Sequence, residues 1–403
     1  MGSVPLGGEW MAKLTIKDID FKDKVVLMRA DFNVPQDKSL NITDDTRIRA
    51  TLATIKYVLE NGAKKLVLMS HLGRPDGKVV EKYSLKPIAA RLKELLGEDV
   101  LFLNDCVGDN IKQSIQIAKE RVVLLENLRF HAQEEANDVD FSKQLASLGE
   151  VFVNDAFGTA HRAHASTEGV THFLKSAAGL LLEKEIKYLG SAVSNPAKPF
   201  MVILGGAKVS DKIGLIENLL SKADAIIIGG GMAYTFLKAQ GKPIGNSKLE
   251  KEKLDLAKSI LEQAKEQKKE ILLPIDNVTV EVIDPKAECE ITGEDIPDGK
   301  IAVDIGPKTV KLFTEKLKDA KTIVWNGPLG IFEMDAFSKG TKEVADFIAG
   351  LNCISIIGGG DTAAAIAKFK LEDKMTHIST GGGASLEYLE GKVLPGVAAL
   401  TDK

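Results

Sequence analysis

The stretch IIGGGDTAAAIAKF at residues 356–369 contains a complete strand–turn–helix unit. An apolar run ends in three glycines, and small apolar residues then recur at helical spacing. Glycines at such a junction expose the first N–H groups of the helix, and these donors attract anions. Asp361 nevertheless places an acid at this helix start. The stretch therefore predicts an α/β unit and raises the question of why a carboxylate belongs there.

The same alternation of apolar runs and helical patterns extends along nearly the whole chain. Helical stretches such as residues 84–97 and 249–267 have apolar positions three and four apart. Continuous apolar strands alternating with helices are typical of parallel sheets covered on both faces. We therefore predict the α/β class, with two Rossmann-like domains. The candidate strands are 24–31, 65–71, 121–127, 150–157, 199–206, 224–231, 270–276, 322–328, 354–360 and 376–383.

A length of 403 residues favours two domains. Residues 177–200 are interpreted as one helix with a proline-containing exit and no strand partner. We expect domain one at 12–180, an interdomain helix at 181–197 beside a cleft, and domain two at 198–390. The tail, 391–403, is too short to be a domain. Residues 1–11 are interpreted as a tag or alternative start.

Composition excludes several function classes. The net charge of −4 argues against nucleic-acid or anionic-membrane partners, and no apolar run is long enough for a membrane span. Cys106, Cys289 and Cys353 are far apart and form no CxxC motif. We therefore expect a reducing, cytoplasmic compartment, structural thiols and no cysteine metal site.

The two halves offer a ligand different chemistry. Glycine clusters follow five strands of the second half, at 204–208, 229–233, 326–330, 358–362 and 381–385. Such turns share the carboxyl edge of a parallel sheet, so they favour a ligand with several phosphates over simple packing. In the first half the equivalent turns carry cations, which suit a small polyanion. These are Arg29, Arg47, His71, Arg74, Arg129, His161, Arg162 and His164.

Two enzyme classes fit poorly. Gly358, Gly360 and Ala363 match a loose dinucleotide fingerprint, but the next strand ends in Thr380 instead of the required acid. The chain also lacks G-x-x-x-x-G-K-[ST], the P-loop motif. A non-catalytic nucleotide or sugar-phosphate binding protein remains as an alternative.

Two lysines and the acid of the opening stretch favour catalysis. Lys208 and Lys212 lie four apart at a helix start and can reach the same phosphates, as phosphoryl transfer requires. Asp361 is explained if it holds Mg²⁺ against nucleotide phosphates, although it can also be a helix N-cap.

Ten signatures then identify a family resemblance. They are RADFNVP, RIRATL, SHLGRPDG, ENLRFH, NDAFGTAHRAHAS, GGAKVSDKI, IGGGMAYTF, WNGPLGIFE, IIGGGDTA and STGGGASLEYLEGKVLPG. From about Leu14 to Leu400 the chain closely resembles phosphoglycerate kinases. The resemblance implies reversible, in-line phosphoryl transfer from 1,3-bisphosphoglycerate to Mg-ADP on domain closure, giving ATP and 3-phosphoglycerate. It also implies a monomer whose tail, 391–403, packs on the N-terminal domain.

The resemblance further implies site residues at matching positions. Asp31 and Asn33 would bind the hydroxyl and carboxylate end of the glycerate, and Arg47 its reacting carboxyl group. The full substrate set is Asp31, Phe32, Asn33, Arg47, His71, Leu72, Gly73, Arg74, Arg129 and Arg162, of which His71 and the last three arginines would hold the 3-phosphate.

For the nucleotide, Ala302 would line the adenine where many members have glycine, Glu333 would bind the ribose, and Asp361 would be the magnesium ligand. The full nucleotide set is Gly206, Lys208, Lys212, Ala302, Glu333, Gly359, Gly360, Asp361 and Thr362. The groups that would stabilise the transferring phosphoryl are Arg47, Lys208 and the N–H groups of Gly381, Gly382 and Gly383.

Overall fold

A computed structural model describes residues 13–403 of the chain, so the segment interpreted as a tag or alternative start lies outside the described residues. The chain divides into two units. Unit 1 runs up to Lys187 and includes Val393–Lys403, and unit 2 is Tyr188–Lys392. Within residues 13–403, no helix is long and apolar enough to cross a membrane.

Unit 1 is built on a six-stranded parallel sheet in the order β3-β4-β2-β1-β5-β6. Its strands are β1 Val25–Arg29, β2 Lys65–Met69, β3 Val100–Phe102, β4 Val122–Leu124, β5 Val151–Asn154 and β6 Ser176–Ala178. Its helices are α1 Thr46–Glu60, α2 Lys86–Leu96, α3 Asp109–Ile117, α4 Ala132–Glu135, α5 Val139–Ala146, α6 Leu180–Ser194, which continues into unit 2, and α14 Pro395–Ala398.

Alternate residues of β1 explain why both faces of this sheet are covered. Val26 and Met28 belong to one buried apolar cluster, whereas Leu27 belongs to another. Successive side chains of a strand point to opposite faces, so each face needs its own layer of helices. The chain extends the sheet in one direction from β1 and in the opposite direction from β5. The position between β1 and β5 is therefore the topological switch point, which is where open α/β sheets bind ligands.

Unit 2 contains a second six-stranded parallel sheet, in the order β15-β14-β13-β7-β8-β9, and an antiparallel sheet in the order β11-β10-β12. The parallel strands are β7 Phe200–Leu204, β8 Ala225–Ile228, β9 Glu270–Leu272, β13 Thr322–Asn326, β14 Ile354–Gly358 and β15 His377–Ile378. The antiparallel strands are β10 Asp276–Val280, β11 Glu290–Gly293 and β12 Ile301–Ile305. The helices are α7 Ile213–Leu220, α8 Gly230–Ala239, α9 Leu254–Glu266, α10 Pro307–Leu317, α11 Lys339–Ala349, α12 Gly360–Lys368 and α13 Gly383–Leu389.

The predicted α/β class is confirmed, and each candidate strand contains an observed one. One local prediction is wrong: residues 177–200 are not a helix without a strand partner. Ala177 and Ala178 end β6, which pairs with β5, and the helix begins only at Leu180. The run Ser-Ala-Ala is too short and too small-sided to be recognised as a strand by periodicity.

The C-terminal tail is fixed to unit 1 by backbone bonds at both its ends. Gly396 N–H donates to Ala160 O at 2.8 Å, and Leu14 N–H donates to Thr401 O at 2.8 Å. The side chain of Asn154, the last residue of β5, also donates to Gly396 O at 2.9 Å. The tail therefore closes over the end of the same strand whose loop carries Arg162.

Candidate functional site

The loop after β1 and the first turn of α1 place Asp31, Asn33 and Arg47 together. Arg47 Nη1 donates to Asn33 O at 2.9 Å and lies 3.4 Å from the Asp31 carboxylate. One third of the Arg47 side chain remains exposed. Because a guanidinium group has five N–H donors, Arg47 is held in place by the loop and still has donors for a ligand.

The loop after β2 is locked against the first one. Gly73 N–H donates to Asn33 Oδ1 at 2.9 Å. Gly73 has φ +64°, and a Cβ there would lie 2.3 Å from the Tyr83 ring, so only glycine fits. The backbone next to Arg74 is therefore fixed, while the Arg74 side chain is exposed.

Arg129 and Arg162 bring two further cations to this edge. Arg129 Nη1 donates to Gly73 O at 2.9 Å, and its Nε lies 3.1 Å from the Glu135 carboxylate. Burial lowers the pKa of Arg129, and the positive charges of Arg162 and Arg74 lower it further. The structure thus brings the three arginines assigned to the 3-phosphate into one cationic cluster.

Phe32 and Leu72 have a different place. Both side chains are buried, Phe32 in the hydrophobic core with no exposed surface, so neither offers a side chain to a ligand. Phe32 N–H donates to Ser70 Oγ at 2.9 Å, and Leu72 O accepts from Asn127 at 2.7 Å. They anchor the loops that carry the polar residues.

A buried polar network under these loops was not predicted. Arg29 is fully buried, and its Nε donates to Ser166 Oγ at 2.8 Å. Ser166 Oγ donates in turn to Glu134 Oε1 at 2.6 Å, and Arg29 Nη2 lies 3.2 Å from His71 Nδ1. Burial lowers the pKa of Arg29 to about 10, so it remains charged at neutral pH. The only sign of this network in the sequence is that the apolar strand VVLMR ends in a cation.

Two histidines of this region, His71 and His164, are held neutral. Burial, followed by the charges of Arg29, Arg129 and Arg47, lowers the pKa of His71 well below its usual range. Burial and neighbouring arginines likewise lower the pKa of His164 to about 3. His71 therefore offers a ligand a hydrogen bond and no charge, and the positive charge comes from guanidinium groups alone.

In unit 2, the switch in winding direction lies between β7 and β13. The glycine turns there pack backbone against backbone: a Cβ on Gly205 would lie 2.1 Å from Pro328 O. Around Gly206, Gly360 and Gly382, in contrast, nothing lies within 4 Å of an added Cβ. Packing thus explains part of the glycine pattern. Only the three open positions, Gly206, Gly360 and Gly382, favour a ligand.

A pocket of about 330 Å³ lies beside this switch point. Gly206, Ala302, Glu333 and Asp361, all assigned to the nucleotide from the sequence, line it together. Its other lining residues combine glycines with apolar side chains, as a site for a flat ring does. They are Ala207, Gly230, Gly231, Tyr234, Lys248, Ile283, Ile301, Val303, Pro328, Leu329, Gly330 and Ile331.

Lys212 and Lys208 differ in how they are held. Lys212 Nζ bonds Asn326 Oδ1, and burial lowers the pKa of Lys212 while Asp211 and Asp361 act in the opposite direction. Lys208 is exposed, and its ammonium group has no hydrogen-bond or ion-pair partner within residues 13–403. Lys208 is therefore available to an anionic ligand, and Asn326 is a partner that the sequence did not reveal.

Asp361 lies in the first turn of α12, with its carboxylate exposed and facing the pocket. The N-cap position belongs to Gly359, and the carboxylate accepts no hydrogen bond from any described residue. The N-cap interpretation of Asp361 is therefore wrong. A free carboxylate at a glycine turn that begins a helix fits Mg²⁺, which proteins usually hold through one or two carboxylates and substrate phosphates.

The remaining predicted positions form the two glycine turns. Gly359 has φ +85° and introduces α12, while Thr362 is buried and accepts from Gly327 N–H at 2.6 Å. Gly382, with φ +52°, introduces α13, and Gly381 N–H donates to Ser379 Oγ at 3.2 Å. Thr362 thus ties α12 to the turn after β13, whereas Gly360 lies open.

Comparison with known proteins gives one consistent result. The family model described as "Phosphoglycerate kinase" matches residues 16–392. The phosphoglycerate kinase of Koribacter versatilis is 59% identical over 98% of this chain and 100% of its own, and that of Pseudothermotoga lettingae is 55% identical over the same shares. The solved structure of phosphoglycerate kinase from Coxiella burnetii has a TM-score of 0.88 at 42% identity, covering 96% of this chain and 98% of that one.

Proposed function

Because the chain belongs to the phosphoglycerate kinase family, we propose that it catalyses the glycolytic transfer of a phosphoryl group from 1,3-bisphosphoglycerate to ADP, giving ATP and 3-phosphoglycerate reversibly. The observation that carries the proposal is the separation of chemistry between the units. An arginine-lined sheet edge lies in unit 1, and a glycine-lined pocket with an open lysine and a free carboxylate lies in unit 2.

In unit 1, the guanidinium groups of Arg74, Arg129 and Arg162 bind the 3-phosphate, and neutral His71 adds a hydrogen bond. Arg47 reaches the carboxyl group that accepts or gives up the phosphoryl group. Bidentate guanidinium groups match both phosphate and carboxylate geometry, which supports these roles. Asp31 orients Arg47 from 3.4 Å, so this arginine is positioned before the substrate arrives.

In unit 2, the apolar pocket holds the adenine beside Ala302, and the Glu333 carboxylate accepts from the ribose hydroxyls. Lys208, Lys212 and the N–H groups at the start of α12 bind the phosphates. Asp361 would hold a Mg²⁺ ion, whose positive charge would offset negative charge on the transferring group. No general base is needed, because the attacking carboxylate or phosphate oxygen is already ionised at neutral pH.

The two ligands belong to different units, so we propose that transfer requires domain closure about the region of α6, which also expels water. We also propose a cytoplasmic monomer; the three free cysteines support a reducing compartment. Small-angle scattering with both substrates, compared with either alone, tests the closure, and light scattering tests the monomer.

The decisive experiment is a coupled assay. 3-Phosphoglycerate and Mg-ATP are supplied, and the acyl phosphate is consumed by an NADH-dependent dehydrogenase. Arg47→Ala should lower turnover by roughly 10³–10⁵-fold, as for other transition-state arginines. Arg49→Ala is the matched control, because Arg49 lies on the same helix but pairs with Asp45 at 2.8 Å.

The alternative, a non-catalytic nucleotide or sugar-phosphate binding protein, gives a different outcome. Such a protein would bind both ligands calorimetrically and show no turnover at any enzyme concentration. Asp361→Ala, assayed while magnesium is varied, separates the metal assignment from the reaction itself. Turnover that keeps its magnesium dependence in this variant would contradict the role of Asp361 and leave the kinase activity standing.

A further inference from the structure

Three side chains of metal-ligand type meet in unit 1 away from the arginine cluster. Asp105 and Cys106 follow β3, and His131 follows the short 3₁₀ turn Leu128–Phe130. One ligand atom from each, a carboxylate oxygen, the thiol sulfur and an imidazole nitrogen, lies within 4.8 Å of the other two. The spacing of these residues along the chain, with 24 positions between the thiol and the imidazole, gave no sign of this meeting.

The three groups are already oriented. The backbone N–H of Cys106 donates to Asp105 Oδ1 at 2.7 Å, and His131 Nε2 lies 2.7 Å from the same oxygen. The His131 ring also packs on Phe141, with ring centroids 5.3 Å apart. The carboxylate and the imidazole are therefore held in place beside the backbone of Cys106.

The surroundings of the thiol attract a cation. Cys106 is fully buried, and the carboxylates of Asp105, Glu134 and Glu126 all contribute negative potential at its sulfur. The other two side chains provide the way in, since 50% of Asp105 and 28% of His131 remain exposed. An ion approaching from solvent would therefore meet these two groups before the buried sulfur.

We propose that Asp105, Cys106 and His131 form a Zn²⁺ site, separate from the metal of the nucleotide. A sulfur, a nitrogen and an oxygen donor are the set that zinc prefers, whereas Mg²⁺ and Ca²⁺ prefer oxygen alone. Three protein ligands leave the fourth tetrahedral position to water.

The geometry needs only a small adjustment. Zinc–ligand bonds of about 2.0–2.3 Å place tetrahedral ligand atoms roughly 3.4–3.6 Å apart. Pairs at the 4.8 Å limit must then close by about 1 Å, and the Asp105–His131 contact must open by a little less. On binding, the Zn–S bond replaces the S–H bond, and the thiol proton is released to solvent. The Nε2 proton that His131 shares with Asp105 moves through solvent to Nδ1, so that the Zn–N bond replaces the Nε2–H bond.

The consequence lies in the loop that also carries Arg129, two residues before His131. Zinc would fasten this loop to the end of β3 and stabilise unit 1 in proportion to the excess of zinc over its dissociation constant. The residues are not among those assigned to phosphoryl transfer, so binding can be measured without reference to activity.

The test uses the full chain after dialysis against a chelator, with Co²⁺ as a spectroscopic probe and Zn²⁺ in calorimetry. We expect one equivalent of Co²⁺ to give a thiolate charge-transfer band and Zn²⁺ to displace it. Cys106→Ser should abolish the band, and His131→Asn and Asp105→Asn should each weaken Zn²⁺ binding at least about tenfold, since even outer partners of metal ligands contribute 10–100-fold.

Two control variants replace a histidine and a cysteine that lie outside the cluster. His172→Asn removes an exposed histidine that pairs with Glu168 at 2.6 Å, and Cys289→Ser removes an exposed thiol. Both should leave the cobalt band and the zinc affinity unchanged. Circular dichroism identifies any variant that fails to fold. If Cys106→Ser fails, His131→Asn, at a partly exposed position, decides the outcome. The proposal is overturned if no thiolate band appears, or if the band survives in Cys106→Ser or is lost equally in the controls.

Discussion

Arg29 should be a major determinant of the stability of unit 1, and replacing it tests the buried network under the arginine cluster. The Arg29→Met variant keeps a similar side-chain volume but removes the cation. Glu134 then stays fully buried and keeps its hydrogen bonds from Ser166, but it loses the nearby positive charge of Arg29. Breaking one side of a buried charge pair typically costs about 3–5 kcal/mol. For a unit of roughly 200 residues this corresponds to a fall in Tm of roughly 6–20 °C.

The loss of stability in Arg29→Met should depend on pH in a definite direction. Burial raises the pKa of Glu134, and the charge of Arg29 acts against that rise. Without Arg29 the folded-state pKa of Glu134 rises further above its unfolded value. Stability linked to a raised pKa is present at low pH and is lost as pH rises through the folded pKa. The deficit of Arg29→Met relative to the native chain should therefore be smaller at pH 5 than at pH 8.

Urea unfolding can assign this loss to unit 1. Circular dichroism follows both units, whereas in a Trp10→Phe background fluorescence follows Trp325, which is buried in unit 2. We expect the circular-dichroism transition to split and the fluorescence midpoint to stay in place. Arg49→Met, which breaks a half-exposed pair, should cost less than about 1 kcal/mol.

A double variant separates charge from packing. Gln at position 134 keeps an acceptor for Ser166 and removes the charge, so Arg29→Met/Glu134→Gln should be less destabilised than the sum of its parts, by roughly 0.5–3 kcal/mol. Strict additivity, or an Arg29→Met cost below about 1 kcal/mol, would refute the view that Arg29 compensates a buried carboxylate.

Three other predictions concern single positions. Lys208→Ala should lower turnover by roughly 10³–10⁵-fold, because we propose that this lysine binds the phosphates, and it should change stability little, because the side chain is exposed. Equal turnover in the coupled assay contradicts the proposed role. Burial raises the pKa of Asp155 to about 7, so its contribution to stability is present below about pH 4 and lost as pH rises to 7. Asp155→Asn should flatten this part of the stability–pH profile, and parallel profiles of variant and native chain would count against it. Gly205→Ala should cost a few kcal/mol in urea unfolding because its Cβ overlaps Pro328 O, whereas Gly360→Ala, with open space around it, should be close to neutral.

The parallel sheets were predictable because their strands are buried on both faces and appear as continuous apolar runs. Five of the observed strands were not predicted, and three of them were missed for a local reason. The runs of β3 and β6 span three residues each, and β11 is largely exposed, so none has a period to detect. The antiparallel sheet as a whole was missed because its pairing depends on which strands meet in space.

The candidate site divides along the same line. Residues in contiguous motifs, such as Arg47, could be proposed from the sequence because the motif is local. Glu134, Ser166 and Asn326 were not, because their roles arise from contacts across 32 to 137 positions of sequence with residues that carry no shared pattern. The glycine turns were found but partly for the wrong reason, since Gly205 is fixed by close backbone packing.

The two units concentrate positive charge in different ways. Unit 1 gathers guanidinium groups, and their mutual repulsion must be limited before a ligand arrives. Neutral His71 and His164 add hydrogen-bonding capacity without adding charge, and buried Glu134 offsets part of the field from below. Unit 2 relies on backbone amides and two lysines, which leaves room for the free carboxylate of Asp361. Under the proposed function, a cation bound to that carboxylate would arrive with the nucleotide and leave with it, so unit 2 would need no permanent cluster of positive charge. Under the proposed function, this difference is the reason why an acid belongs at the start of α12.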